Sequence, residues 1–257
     1  MREPPAADAA PDAFVAGLKK GALLGVVLFL LALPWLHERR VQPALPGTPS
    51  VRLADFRGED PSPDARHVAN WAAYTRDHRQ HAFVVVDKED ARVYVFAPDG
   101  KLVDSAPALF GAAIGDDSAP GIGDKPLSAV QPWEKTTPAG RFIAEMGENA
   151  NHEDVVWVDY DAAVSMHRIR PTHPQERRLE RLASLTVEDN RISFGCINLP
   201  VTFYENVLRP AVREHGAVVY VLPETRTPQQ VFGSWDVTAP ARHAGAIPPV
   251  ALRVPAR

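Results

Sequence analysis

The stretch Phe83-Val84-Val85-Val86-Asp87-Lys88-Glu89-Asp90-Ala91-Arg92-Val93-Tyr94-Val95-Phe96 sets the class of fold. Two short runs of β-branched and aromatic residues flank the polar Lys88-Glu89-Asp90, which is the pattern of a hairpin. Pro98-Asp99-Gly100 follows as a turn signal leading into another short strand. Further strands are expected at 108–114, 140–144, 155–158, 163–167 and 217–222. Several short strands with turn punctuation predict a mainly β sandwich or barrel with a few peripheral helices. Upstream, residues 64–79 change period. Val68, Trp71, Ala72 and Tyr74 or Thr75 recur at helical spacing.

Working outward, residues 1–18 are rich in Ala, Pro and Asp and read as disordered. Residues 19–40 hold the uncharged run Gly21–Leu36, with Lys19-Lys20 before it and Arg39-Arg40 after. Its sixteen residues would span about 24 Å as a helix. That is slightly short of a hydrocarbon core of ~30 Å, a gap that snorkelling and local thinning can cover. A single-pass anchor is the favoured reading. A cleaved signal peptide lacks a clear small-residue cleavage site, and a buried core helix lacks a polar outward face. An N-in anchor would put the rest of the chain outside the cytoplasm. Residues 41–79 form a Pro-rich linker and helix, residues 80–222 the main domain, and residues 223–257 an irregular tail. The net charge is -4 with acids and bases interspersed, so no basic stripe argues for nucleic acid.

The chemistry centres on the single cysteine, in Ser193-Phe194-Gly195-Cys196-Ile197-Asn198. One cysteine makes no intramolecular disulfide and supplies only one ligand to a thiolate zinc site. It is therefore a buried small hydrophobe or a reactive group. Gly195 allows unusual dihedrals and close approach of a substrate. Pro200 and the pattern Val201, Phe203, Tyr204, Val207 and Leu208 predict a helix directly after it. Cys196 would then sit just ahead of a helix N-terminus, where free N–H groups and the dipole favour a thiolate and an oxyanion. A thiol nucleophile needs a base. Of the nine histidines, His167 is best placed, at the end of a predicted strand. His173 lies in a Pro-bounded loop, and His152 is third.

The Ser193–Asn198 run resembles the active-site motif of the L,D-transpeptidases (the YkuD-type catalytic domain), Ser/Thr-His-Gly-Cys-hydrophobic-Asn/Arg with a second histidine upstream. Ser193, Gly195, Cys196, Ile197 and Asn198 fit position by position. Thr137-Pro138-Ala139-Gly140-Arg141-Phe142 resembles the family's Thr-Pro-x-Gly-x-Phe stretch. The order of hairpin, turn, histidine and cysteine also agrees, over roughly residues 80–222.

The resemblance implies an L,D-transpeptidase-like fold and acyl transfer on peptidoglycan stem peptides, with Cys196 as nucleophile and His167 as base. It implies backbone donors near Gly195 and Cys196 for the oxyanion, and Ser193 and Asn198 as orienting groups. It implies no metal or organic cofactor. With residues 19–40 as an inner-membrane anchor, the catalytic domain would be periplasmic, or secreted there if the segment is cleaved.

Three departures mark a divergent subfamily. Phe194 stands where most relatives have the motif histidine. Arg168 replaces the usual small residue after the upstream histidine. His167 and Cys196 are 29 positions apart, more than is usual, and the excess holds Pro174–Leu185, a charged inserted helix. Arg177, Arg178 and Arg181 on it read as a solvated face, with an anionic glycan peptide as the other option. Residues 111–123 read as a mobile loop beside the cleft, and Trp133 as a cleft flank or a core aromatic. Two rival functions remain. Water as acceptor would give a carboxypeptidase or amidase-type hydrolase. A catalytically weak wall-binding module is favoured by Phe194 and Arg168.

Overall fold

The computed structural model describes residues 52–239. The expected anchor at 19–40 lies outside the described residues, as do residues 1–18. Among the described residues no helix is long and apolar enough to cross a membrane.

The hairpin forms as read: β1 (Ala82–Asp87) pairs antiparallel with β2 (Arg92–Phe96), which pairs with β3 (Leu102–Pro107). After a two-residue β4 (Phe110–Gly111) come β5 (Gly140–Glu148), β6 (Asp154–Asp159) and β7 (Val164–Arg168). Three short strands complete the set: β8 (Arg191–Ser193), β9 (Ile197–Leu199) and β10 (Ala217–Val221). Eight strands form one sheet in the order β3-β2-β1-β10-β5-β6-β7-β9, and β4 pairs with β8. The chain leaving β3 crosses to the opposite end of that order, where Leu109 and Asn198 exchange backbone hydrogen bonds of 2.9 Å each. The sheet is therefore nearly closed.

The unbroken Phe83-Val84-Val85-Val86 run has a direct cause: β1 is buried on both faces, so it carries no polar alternation. Val84 and Val86 point into the main core with Val156, Met166, Ile197, Leu199 and Val219. Phe83 and Val85 face a second core under α1 (Pro63–Thr75), where Trp71 sits edge-on to Tyr220 and Trp235. The helix starts where Ser62 caps the Ala65 N–H at 3.0 Å with Pro63 in the first turn. It stops at Thr75, short of Arg79, because Arg76 turns left-handed (φ 54°). Asp77 then accepts hydrogen bonds from Arg141 and Tyr220, each at 2.5 Å.

The described part of the segment read as a Pro-rich linker and helix thus builds a core, with Phe56 before the helix also buried in it. The tail does so too in its described part. There a short helix, Pro228–Phe232, buries Phe232 and is followed by buried Val237.

The inserted segment forms a short turn and α2 (Arg178–Ala183). After β9, a continuous helical stretch comprises α3 (Val201–Phe203), a π-helical turn (Tyr204–Leu208) and α4 (Arg209–His215). Of the strand expected at 108–114, only Phe110–Gly111 forms. Gly111 there lies so close to the neighbouring chain that a Cβ would sit 2.3 Å from the Lys135 carbonyl oxygen.

Candidate active site

The parallel pairing of β7 with β9 sets the site. Met166 lies opposite Ile197 and His167 opposite Asn198. Met166 and Ile197 are fully buried core residues, so strand alternation turns Ser165, His167 and Asn198 to the other face. Cys196, in the turn entering β9, falls in with them. Its sulfur is 3.7 Å from the Ser165 hydroxyl and 3.5 Å from the Ala163 carbonyl oxygen. Beside Ala163 opens a groove of about 640 Å³ whose lining includes Gly123, Glu148, Trp157 and Tyr160.

The helix expected directly after Cys196 does not begin there. Ile197–Leu199 is strand β9, and Pro200 is the cap residue of α3. The residues after the cysteine are claimed by pairing with β7, so the thiol does not sit at the first turn of a helix. The groups that favour the thiolate come from β7 instead. His167 Nδ1 lies 2.8 Å from the Arg168 carbonyl oxygen. A carbonyl only accepts, so Nδ1 carries the proton and the neutral ring leaves Nε2 unprotonated. Burial pushes the Cys196 thiol up, but hydrogen bonding and charge interaction with His167 and hydrogen bonds from the Ser165 backbone and hydroxyl hold it below the ordinary thiol value. His173 and His152 are both exposed, and His152 faces Glu148 at 3.4 Å.

Gly195 is required by its surroundings. Its φ is +134°, and a Cβ there would lie 2.7 Å from the Thr136 carbonyl oxygen. Thr137 donates its hydroxyl to the Gly195 carbonyl at 2.7 Å and accepts from the Gly111 N–H at 2.9 Å. The Thr-Pro-x-Gly-x-Phe stretch thus begins with the residue that clamps the cysteine turn. Ser193 closes the turn from inside, donating to the Cys196 carbonyl at 2.6 Å and accepting from the Gly195 N–H at 3.1 Å. The Gly195 N–H is therefore already committed. The Cys196 N–H, with no acceptor among the described residues, remains for an oxyanion. Asn198 is fully buried and donates to the Cys196 carbonyl at 3.2 Å.

Three features were not read from the sequence. Arg178 was assigned to a solvated face, yet its side chain is only 13% exposed. It donates to Asn198 Oδ1 at 2.6 Å and to Glu176 at 2.6 Å. Arg181 likewise caps the Glu176 and Asp189 carbonyls, and only Arg177 is solvated, pairing with Glu180. The insertion therefore braces the turn after the cysteine. No pattern in a charged helix reveals which of three arginines will turn inward.

The second feature is a buried charge cluster behind the turn. The Lys88 ammonium donates to the Gly115 and Thr137 carbonyls at 2.8 and 2.9 Å and faces Asp116 and Glu224 at 3.4 and 3.3 Å. Burial lowers its pKa to about 8 against the pull of Asp116. The Asp116 carboxylate also accepts the backbone N–H groups of Glu224, Thr225 and Arg226. Arg191, at the start of β8, pairs with Glu224 and donates to the Lys88 carbonyl at 3.0 Å. The segment read as a mobile loop is thus anchored at Asp116. Polar residues in a turn carry no sequence mark of such a long-range closure.

The third is Arg168, whose side chain leaves the site. It reaches Asp154 at 2.9 Å and Glu205, and lies over Tyr204 at 4.3 Å. Its carbonyl, not its side chain, serves His167. Phe194 is part-exposed and stacks under the Lys135 ammonium at 4.0 Å. Trp133 is 70% exposed, so it is not a core aromatic. Among the described residues no cluster of His, Cys, Asp or Glu is arranged to hold a metal ion.

The arrangement is a thiol–imidazole site at the rim of a curved, mainly β sheet. No family model and no curated protein matches the chain. Solved structures to which it is similar include the catalytic domain of the Enterococcus faecium L,D-transpeptidase, at 19% identity and a TM-score of 0.33, over 56% of this chain and 98% of that one. The helical cell shape determining protein Pgp2 from Campylobacter jejuni aligns at 17% identity and a TM-score of 0.36, over 57% of this chain and 49% of its own. The L,D-transpeptidase from Mycobacterium smegmatis aligns at 16% identity and a TM-score of 0.30, over 55% of this chain and 58% of its own.

Proposed function

We propose that this chain is a cysteine acyltransferase of the L,D-transpeptidase type, acting on peptidoglycan stem peptides. The observation that carries this reading is the β7–β9 register, which sets His167 opposite Asn198, two positions from Cys196, with the imidazole tautomer held by the Arg168 carbonyl and the thiol pKa lowered by His167 and Ser165 against burial. The motif around Cys196 supplies the substrate class.

In the reaction, His167 Nε2 takes the thiol proton and the thiolate attacks the carbonyl that precedes the terminal D-amino acid. A C–S bond forms, and the oxyanion meets the Cys196 N–H. The C–N bond then breaks as the imidazolium returns the proton to the leaving amine, producing a thioester. An acceptor amine attacks the thioester and gives its proton to His167, and the C–S bond breaks as the imidazolium passes that proton to sulfur, regenerating the thiol. Residues 19–40 would tether the domain to the inner membrane with the site in the periplasm.

Incubation with tetrapeptide-stem muropeptides and mass spectrometry tests the reading. Crosslinked dimers that vanish in Cys196→Ala are expected. Tripeptides alone would assign water as the acceptor. No product in the wild type, with Cys196 unreactive to alkylation, would favour a wall-binding module. A reporter enzyme active only outside the cytoplasm, fused after residue 239, tests the location.

A further inference from the structure

The described residues include four lysines, and three of them face carboxylates. Lys88 lies near Asp116 and Glu224, Lys101 near Asp99, and Lys125 near Glu134. Lys135 has no carboxylate partner among the described residues. Its ammonium rests on the Phe194 ring, 4.0 Å from the centroid. The backbone beneath it is fixed to the cysteine turn. The Lys135 carbonyl accepts the Ala113 N–H at 2.9 Å, Thr136 packs against Gly195, and Thr137 holds the Gly195 carbonyl. Phe194 is itself two positions before the nucleophile.

An aromatic face holds an ammonium in place without neutralising it, as a carboxylate would. A positioned, part-desolvated cation with its charge unspent is a site for an anion. The acyl-transfer reading, on which this inference rests, supplies one. The leaving D-amino acid carries a free carboxylate two bonds from the scissile nitrogen. When the scissile carbonyl is at the Cys196 sulfur, that carboxylate is necessarily close to the turn that carries Phe194.

We propose that Lys135, seated on Phe194, binds the terminal carboxylate of the donor peptide, so that the site takes peptides ending in a free acid. The aromatic that replaces the motif imidazole then acts as the platform for this cation.

Alkylation of Cys196 in the intact protein gives a test that needs no turnover. Iodoacetate and iodoacetamide react by the same displacement, in which the C–S bond forms and iodide leaves. They differ only in carrying a carboxylate or an amide. The iodoacetate-to-iodoacetamide rate ratio should fall about 5-fold or more in Lys135→Gln, stay high in Lys135→Arg, and fall with added salt in the wild type. Any background preference from His167 is common to these variants and cancels in the comparison. Phe194→Leu should give an intermediate ratio.

With stem tetrapeptides, Lys135→Gln should raise KM for the free acid about 10-fold at near-constant kcat and leave the C-terminal amide unaffected. An unchanged alkylation ratio in Lys135→Gln overturns the assignment of Lys135. A ratio that falls as expected, in a protein that transfers no acyl group, overturns the acyl-transfer reading and leaves the anion site standing.

Discussion

His167 donates its Nδ1–H to the carbonyl oxygen of the adjacent Arg168 at 2.8 Å. The peptide unit that continues β7 thus fixes the ring's tautomer, and no carboxylate is needed for this. That carbonyl is held in turn, because the Arg168 side chain is tied to Asp154 and Glu205. The thiol pKa, lowered by His167 and Ser165 against burial, is the measurable consequence.

Iodoacetamide alkylation of Cys196 should therefore persist to a pH below that of an ordinary thiol. In His167→Ala the curve should move up, because burial then acts with less opposition. The sign for stability agrees. A depressed thiol pKa contributes stability that is present at high pH and lost as pH falls through the folded-state value. A pH–rate curve identical in His167→Ala and wild type would remove His167 from the site.

Gly195→Ala should fold less stably by about 1–3 kcal/mol, since it forces a side chain into a strained φ. It should also lose more than about 10-fold in acyl transfer or thiol alkylation, because the Thr136 carbonyl must move with the turn. Urea unfolding and alkylation rates measure the two effects separately.

Arg178→Met keeps the stem of the side chain but leaves buried Asn198 Oδ1 without its donor. A cost of about 1–3 kcal/mol is expected, with slower chemistry at Cys196, whose carbonyl Asn198 holds. Arg177→Met, on the solvated side of the same insertion, should change neither. Equal behaviour of the two variants would return the insertion to a surface role.

Lys88→Met removes the ammonium from between Asp116 and Glu224 and should cost about 3–5 kcal/mol at neutral pH. The folded-state pKa of about 8 lies below the ordinary 10.5, so the unfolded chain binds more protons between these values. Wild-type stability gains with pH across that window, and below it the burial penalty stands in full. The gap between wild type and Lys88→Met should accordingly widen from pH 7 to pH 9.5 in urea titrations. A narrowing gap would mean that attraction to the carboxylates outweighs burial.

Trp71→Ala should destabilise the domain by about 3–5 kcal/mol, because the indole fills the second core against Tyr220 and Trp235. Thermal unfolding unchanged by this substitution would restore residues 63–75 to a peripheral role.

The β class, the hairpin and the helix before it were legible in the residues. Each rests on local signals: the continuity of apolar residues in the two strands, the polar turn between them, and the helical spacing of Val68, Trp71 and Ala72. The same signals misled after Cys196. The helical pattern of Val201 to Leu208 was extended back to the cysteine, whereas hydrogen bonding to β7 claims Ile197–Leu199 as strand.

The long-range contacts belong to the tertiary structure alone. Phe83 and Val84 are neighbours in one apolar run but serve two cores, because the strand is covered on both sides. Which arginine of the insertion braces Asn198, that Lys88 holds Thr137, and that Lys135 lies on Phe194 depend on contacts between segments far apart in the chain. Local sequence determined which residues could form a strand or supply a nucleophile. Only the closing of the sheet, which brings β7, β9 and the Thr136–Thr137 strap together, decided which of them meet, since such a contact depends on both partners and on the path of the chain between them.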